Sequence, residues 1–116
     1  MRSFTHHFLA VALCVLCLSA VLPAQTITGS FTGTISDSSG AVVPGAKVTA
    51  TNQGTNVPYT ANTNEAGVYN LLFLPVGEYV LVTENQGFKK AQLGPFRLEV
   101  NQVARVDVAL EVGDTA

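Results

Sequence analysis

The chain has 116 residues, with six Lys and Arg, eight Asp and Glu, and a formal net charge of −2. This length suffices for one hydrophobic core, and the lack of a basic excess argues against nucleic acid as a partner. Both histidines and both cysteines lie within residues 1–24. The remainder of the chain therefore has no imidazole or thiol for metal binding or nucleophilic catalysis.

Residues 1–24 have the pattern of a secretory signal peptide. Arg2 supplies a positive start, an apolar run extends from Phe8 to Leu22, and the small residue Ala24 precedes Gln25. The run is shorter than the about 20 apolar residues that a membrane-spanning helix needs. We therefore predict export with cleavage after Ala24, which leaves 92 residues with a net charge of −3. An uncleaved membrane anchor is the alternative.

Beyond this segment, turn-forming residues divide the chain into short stretches in which apolar and polar residues alternate. The clearest is "RVDVALEV", residues 105–112, where four apolar residues share one face. A period of two is the signature of a β-strand. Seven strands are predicted, near residues 27–36, 46–53, 57–64, 68–73, 78–85, 95–100 and 103–112. For residues 86–95 the alternative to strand is an irregular crossover.

Short strands at this spacing predict an all-β sandwich of two antiparallel sheets, each with one face in water. The alternation also predicts which side chains point into the core. They are Ile27, Phe31, Ile35, Ala46, Val48, Ala50, Tyr69, Leu71, Phe73, Tyr79, Leu81, Thr83, Phe96, Leu98, Val100, Val106, Val108, Leu110 and Val112.

Three segments carry a resemblance to a known family: "GTISDSSGAVVPGAKVTATNQGT", "TNEAGVYNLLFLPVGEYVLVTENQGFKK" and "LEVNQVARVDVALEVGDTA". Together they resemble the carboxypeptidase regulatory-like domain over about residues 27–113. The resemblance implies a seven-stranded antiparallel Greek-key β-sandwich of the transthyretin (prealbumin) type, which is also grouped with carbohydrate-binding-like folds. The expected division is a signal peptide at 1–24, the domain at 25–113 and the start of a linker at 114–116.

The amino-acid sequence of these segments is also similar to that of the N-terminal module of TonB-dependent, Oar-like outer-membrane proteins. In those proteins the "VGD" ending leads into a plug and a large β-barrel. The resemblance implies a non-catalytic accessory module in the periplasm or at the outer membrane, and a chain that is a fragment of a longer receptor. Its partner would be the plug or barrel, or another domain. The alternative is a carbohydrate-binding module of a secreted or cell-surface protein, with a glycan as partner.

We expect no catalytic residue, no cofactor and no metal site, and hence no enzyme. A zinc carboxypeptidase needs histidine and carboxylate ligands, and the mature chain has no histidine. The serines at 30, 36, 38 and 39 likewise have no histidine to act as their base. The family resemblance therefore carries over no catalytic residue.

Two pairs of side chains are candidates for contact with a partner. Tyr59 and Phe88 are the aromatic residues most expected to be exposed, and are the candidate ligand contacts. Val80 and Val82 lie on the strand face opposite Tyr79, where they form a candidate docking patch.

Related pilin and adhesin sandwiches contain a Lys–Asn isopeptide bond that a buried Glu helps to form. If Tyr79 points inward, the period of two places Leu81 and Thr83 on the same inward face and Glu84 on the outer face. Thr83 then takes the position of that Glu. Lys47 is also predicted to point away from the core. We therefore expect no such crosslink in this chain.

Overall fold

The computed structural model describes residues 27–113, which form eight β-strands and no helix. The predicted signal peptide at 1–24 and linker at 114–116 lie outside the described residues. Within residues 27–113 there is no helix of the length and hydropathy needed to cross a membrane. The strands are β1 (Thr28–Asp37), β2 (Lys47–Asn52), β3 (Pro58–Asn62), β4 (Val68–Pro75), β5 (Gly77–Glu84), β6 (Ala91–Leu98), β7 (Val103–Arg105) and β8 (Val108–Leu110).

The strands form two sheets, which confirms the predicted all-β sandwich. One sheet has the order β4-β1-β7, with β8 also paired to β1, and the other has the order β3-β2-β5-β6. Two details differ from the seven-stranded antiparallel expectation. Both β7 and β8 run parallel to β1, and the single strand predicted at 103–112 is replaced by these two shorter strands.

The break between β7 and β8 has a cause in the side chains around Val106. In a regular sheet the backbone N–H of Thr34 would donate to a backbone carbonyl of the neighbouring strand. Here it donates to the carboxylate of Asp107 at 2.8 Å. The carbonyl of Val106 instead accepts a hydrogen bond from the Tyr69 hydroxyl at 2.6 Å. A Cβ atom at Gly33 would overlap this carbonyl. Glycine at position 33 therefore permits the crossing of the chain from β7 to β8.

The core between the sheets is built around aromatic side chains. The rings of Phe31 and Tyr79 meet edge to face, with centroids 5.6 Å apart and planes at 74°. The Tyr79 hydroxyl donates a hydrogen bond to the carbonyl of Pro75 at 2.6 Å, so the ring is buried without an unpaired polar atom. The buried apolar residues are Phe31, Ile35, Val43, Ala46, Val48, Ala50, Tyr69, Leu71, Leu74, Tyr79, Leu81, Leu98, Val108 and Leu110.

The prediction of inward-facing residues was wrong where the regular strand ends or is interrupted. Ile27 and Val112 lie beyond the ends of β1 and β8, and Val100 lies in the turn after β6, so all three are exposed. Val106, at the break between β7 and β8, is only half-buried. Phe73 is exposed because of a β-bulge. The sixth strand begins at 91 rather than 95, so the alternative of an irregular crossover over 86–95 is wrong for residues 91–95.

Candidate functional site

A β-bulge in β4 determines where Phe73 points. Gly29 pairs with Leu74 and Phe31 pairs with Leu71, so Leu72 and Phe73 together lie opposite a single residue of β1. Such an extra residue reverses the alternation of side chains beyond it. Leu74 therefore takes the buried position, and Phe73 is 79% exposed.

The backbone of Phe73 is also strained. Its φ angle is 58°, in the left-handed region that bulky residues rarely adopt. A residue held there costs about 1–3 kcal/mol, and such strain is concentrated at sites of function. Because the ring is mostly in water, burial of the ring offsets only part of this cost. The strain and the exposure together make Phe73 a candidate contact residue.

Two further apolar side chains accompany Phe73, and we call the three together the Phe73 strip. Leu72 precedes it on β4 and is 59% exposed. Val103 of β7, which pairs with Ser30 on the other side of β1, is 68% exposed. The order β4-β1-β7 thus brings Leu72, Phe73 and Val103 to one surface of the sandwich.

The Phe73 strip lines a shallow groove of about 170 Å³. Backbone hydrogen bonds of 2.8 Å, from Asn101 to Thr28 and from Ser30 to Gln102, hold the loop before β7 against β1 and form one wall. None of the residues that line the groove is charged. The groove can therefore exclude water from an apolar group, but it has no acid, base or nucleophile pair for catalysis. Besides the strip, the lining residues are Thr28, Gly29, Ser30, Asn101 and Gln102.

A second concave surface, which we call the turn cleft, lies between the β2–β3 turn and the β4–β5 turn. Its volume is about 580 Å³, and its lining includes Gln53, Glu78 and Arg97. Glu78 lies opposite Arg97 in the register of β5 and β6, but the guanidinium of Arg97 pairs with Glu99 at 3.1 Å. The turn cleft therefore presents both a carboxylate acceptor and amide and guanidinium donors to a ligand.

The shape of the turn cleft depends on Asn52. This side chain is buried, and its Oδ1 atom accepts hydrogen bonds from the N–H groups of Gly54 and Thr55, at 2.8 and 3.1 Å. Asparagine commonly organises a turn in this way. The approach of this turn to the one at Val76 depends on the tertiary fold, so sequence analysis did not find the cleft.

The groups whose pKa values are shifted have structural roles. Burial raises the pKa of Tyr69, whose hydroxyl is bound to the carbonyl of Val106. The N–H of Thr34 lowers the pKa of Asp107. The hydroxyl of Ser39 lowers the pKa of Asp37, whose carboxylate also caps the turn after β1. Within residues 27–113, no three His, Cys, Asp or Glu side chains are grouped closely enough to hold a metal ion.

Comparison with known proteins identifies the family. The model of the carboxypeptidase regulatory-like domain matches residues 30–111. The chain belongs to the carboxypeptidase regulatory-like domain family. This assignment fits a non-catalytic module, and it agrees with the sandwich described above. No curated protein matches the sequence.

Solved structures with the same fold include proteins of several kinds. A catechol 1,2-dioxygenase mutant from Acinetobacter radioresistens matches with a TM-score of 0.60 and 14% identity, over 78% of this chain and 54% of the dioxygenase. The Bacillus anthracis TIE protein matches with a TM-score of 0.59 and 18% identity, over 74% and 17% of the two chains. A putative carbohydrate binding protein from Bacteroides uniformis matches with a TM-score of 0.59 and 20% identity, over 72% and 41%.

These similarities show the fold of this carboxypeptidase regulatory-like domain, and at such identities they show the fold alone. The chain spans about half of the length of the dioxygenase that it matches. The dioxygenase chemistry is therefore not carried over to this chain.

The predicted ligand contacts Tyr59 and Phe88 lie on different elements of the domain. Tyr59 is half-buried on β3, with its ring 6.2 Å from that of Tyr79, at 63°. Phe88 is half-buried in the connection between β5 and β6 and bridges to Val112. Both side chains pack against the core and keep one part accessible. Their role as ligand contacts stays a prediction.

The predicted docking residues Val80 and Val82 are half-buried on the outer face of β5. Their partners across the strand pair with β2 are Thr51 and Thr49, so polar side chains flank them on that side. The docking patch stays a prediction, and it is separate from the Phe73 strip, which the period-two alternation missed.

The structure confirms the predicted register of β5 at Thr83. This side chain is fully buried, while Glu84 forms an outer ion pair with Lys90 at 3.6 Å and Lys47 is exposed. The hydroxyl of Thr83 has no hydrogen-bond partner among the described residues. Thr83 therefore lies inside the sandwich and Glu84 outside it, as the sequence predicts.

Proposed function

We propose that this carboxypeptidase regulatory-like domain is an exported, non-catalytic accessory module. In this proposal it is the periplasmic N-terminal domain of a TonB-dependent, Oar-like outer-membrane transporter. The observation that carries the proposal is the family match over residues 30–111, together with the similarity of the segment ending in "LEVGDTA" to those transporters. The partner would be the plug or barrel, or another domain, with Val80 and Val82 as the predicted docking patch.

The direction of the chain through the domain supports this role. Because β8 runs parallel to β1, Ile27 and Gly113 lie towards opposite ends of the sandwich. The ten residues of β1 alone span about 33 Å at the usual rise per residue. Polypeptide joined at each end would therefore run in line with the domain, as expected of a module placed in series with others.

Reading the gene beyond codon 116 tests this proposal. The expected result is an open reading frame that continues into a plug and a barrel of alternating strands. A stop codon directly after codon 116, or a continuation into a soluble catalytic domain, would contradict it.

The second candidate function is carbohydrate binding, and the turn cleft is the observation that favours it. Sugar hydroxyls both donate and accept hydrogen bonds, and the cleft offers Glu78 as acceptor with Gln53 and Arg97 as donors. The solved structure from Bacteroides uniformis, described as a putative carbohydrate binding protein, has the same fold. The predicted aromatic contacts of such a ligand are Tyr59 and Phe88.

Titration calorimetry with simple sugars separates the two candidates. An accessory module should bind them no more tightly than about 1 mM, a free energy of about −4 kcal/mol. Saturable micromolar binding would favour the carbohydrate-binding function. Loss of that binding in Arg97→Ala would locate the glycan in the turn cleft, whereas loss in Tyr59→Ala would locate it at the predicted aromatic contact.

A further inference from the structure

A groove on the outer face of the sheet β3-β2-β5-β6 carries two lysines, and we call it the Lys47 groove. Its volume is about 300 Å³, and its lining residues are Gly45, Lys47, Glu84, Asn85, Gln86 and Lys90. Lys47 and Glu84 lie directly opposite each other on β2 and β5, and their buried neighbours Val48 and Thr83 place both on the outer face. The Lys47 groove is separate from the turn cleft, which includes Glu78 at the other end of β5.

Lys47 is the basic side chain that lacks an ion pair. Of the five basic side chains in residues 27–113, it alone is not paired with a carboxylate of the described residues. Glu84, which lies opposite Lys47, pairs with Lys90 at 3.6 Å. One carboxylate thus compensates for one of two ammonium groups, and carboxylates farther away than about 8 Å are screened at physiological salt. The groove therefore keeps a local positive charge, although the 92 residues after Ala24 contain five basic and eight acidic side chains.

Hydrogen bonds hold the backbone on both sides of the Lys47 groove. The N–H of Gly45 donates to the carbonyl of Thr63 at 3.0 Å and holds the chain before β2. The N–H of Phe88 donates to the carbonyl of Asn85 at 3.1 Å and closes the turn after β5. A ligand in the groove therefore has to order only side chains, so less conformational freedom is lost on binding than in a mobile loop.

The donors around the Lys47 groove suit a phosphate group. The ammonium groups of Lys47 and Lys90 attract an anion, and the side-chain amides of Asn85 and Gln86 donate hydrogen bonds. A phosphate group carries a charge of about −1.5 to −2 at pH 7 and has three strong acceptor oxygens, so it uses several of these donors together. A carboxylate has one charge and two oxygens, and uses fewer of them. Glu84 remains as an acceptor for a hydroxyl of the molecule that carries the phosphate.

We propose that the Lys47 groove binds a phosphate group, with Lys47 and Lys90 as the cationic contacts. The phosphate belongs to a saccharide or a lipid headgroup, or is free inorganic phosphate, and the chemistry recognised is the same in each case. The volume of about 300 Å³ is at the lower end of the range for small-molecule sites, so the ligand is small or presents only its phosphorylated end. Because both lysines reach the ligand from water, we expect a dissociation constant on the order of 1 mM. The inference does not depend on which larger protein contains the domain.

Titration followed by the NMR signals of the backbone amides, from about one-tenth to ten times that constant and at constant ionic strength, tests the proposal. The full chain is expressed, and its exported form is purified. The probes are inorganic phosphate, glucose 6-phosphate and, as a neutral control, glucose. Cosedimentation with phosphatidylcholine vesicles, with and without phosphatidic acid, tests a lipid phosphate. Lys90→Gln and Lys89→Gln form a matched pair, because their side chains are 61% and 63% exposed, each pairs with a glutamate, and only Lys90 lines the groove. Lys47→Gln is a third variant.

The wild-type protein and Lys89→Gln should bind with the same constant, and Lys47→Gln and Lys90→Gln should each weaken binding by about fivefold or more. Tighter binding of glucose 6-phosphate than of phosphate would identify a phosphorylated saccharide as the source, and equal binding would mean that the phosphate alone is recognised. Binding only to the vesicles with phosphatidic acid, lost in Lys47→Gln, would identify a lipid. No saturable binding of any phosphate compound would overturn the proposal. Binding that Lys47→Gln and Lys90→Gln leave intact, or that Lys89→Gln weakens equally, would also overturn it.

Discussion

Separate substitutions of Phe73 and of its neighbour Leu74 test whether the β-bulge determines which side chain enters the core. Strict alternation places Phe73 inside the sandwich, whereas the structure leaves Phe73 79% exposed and Leu74 fully buried. The two substitutions Phe73→Asn and Leu74→Ala should therefore have very different effects on the free energy of unfolding.

The magnitude for Phe73→Asn follows from two opposing contributions. A fully buried phenylalanine removes roughly 150–250 Å² from water, so the buried fifth of Phe73 corresponds to about 30–50 Å², or about 1 kcal/mol. Relief of the left-handed backbone at φ 58° returns about 1–2 kcal/mol, since asparagine adopts this region more readily. The net change should be within about 1 kcal/mol of zero. Leu74→Ala should cost about 2–5 kcal/mol, as is usual for a buried leucine.

Urea denaturation followed by circular dichroism measures both effects on the same scale. Because truncation of a buried phenylalanine costs about 3–5 kcal/mol, a loss of that size in Phe73→Asn would refute the reasoning. A loss below about 1 kcal/mol in Leu74→Ala would refute it as well, since the bulge would then not place Leu74 in the core.

Three further predictions concern the core and its polar groups. Leu110→Ala should lower the free energy of unfolding by about 2–5 kcal/mol, because Leu110 is buried. Arg105→Ala, on the outer face, should lower it by no more than about 0.5 kcal/mol. Equal effects of the two variants in denaturant melts would mean that the strand register is wrong. Thr83→Val should raise the free energy of unfolding by about 1 kcal/mol, because it removes a buried hydroxyl that has no hydrogen-bond partner among the described residues. A destabilised variant would mean that this hydroxyl does have a hydrogen-bond partner. Burial raises the pKa of Tyr69 above its ordinary value of 10.0, so its contribution to stability is present below pH 10.0 and is lost as the pH rises above it. Tyr69→Phe should therefore show a smaller alkaline loss of stability than the wild type, and an unchanged alkaline profile would contradict this.

The sequence was sufficient to predict most of the core where strands are regular. Val108, Leu110, Tyr79 and Leu81 all point inward as the period of two predicts, because a strand with one face in water must alternate. The same counting placed Thr83 inside, although its hydroxyl gains nothing there. The family resemblance, rather than periodicity, supplied the Greek-key connection of these strands.

The features that sequence analysis missed all interrupt this period. The extra residue at Leu72–Phe73 shifts the alternation by one, and no residue in "YNLLFLP" distinguishes a bulge from a regular strand. The break between β7 and β8 depends on Asp107 reaching the N–H of Thr34, 73 residues earlier in the chain. Contacts of this kind, and the turn cleft, arise only when distant segments meet.

An immunoblot of fractionated source cells, with an antibody raised against residues 25–113, tests the central claim most directly. If the domain is the N-terminal module of an outer-membrane transporter, the antibody should detect a band in the outer-membrane fraction, far larger than the 12.2 kDa of this chain. A band at or below 12.2 kDa in the medium or the soluble periplasm, with none in the outer membrane, would contradict the proposal.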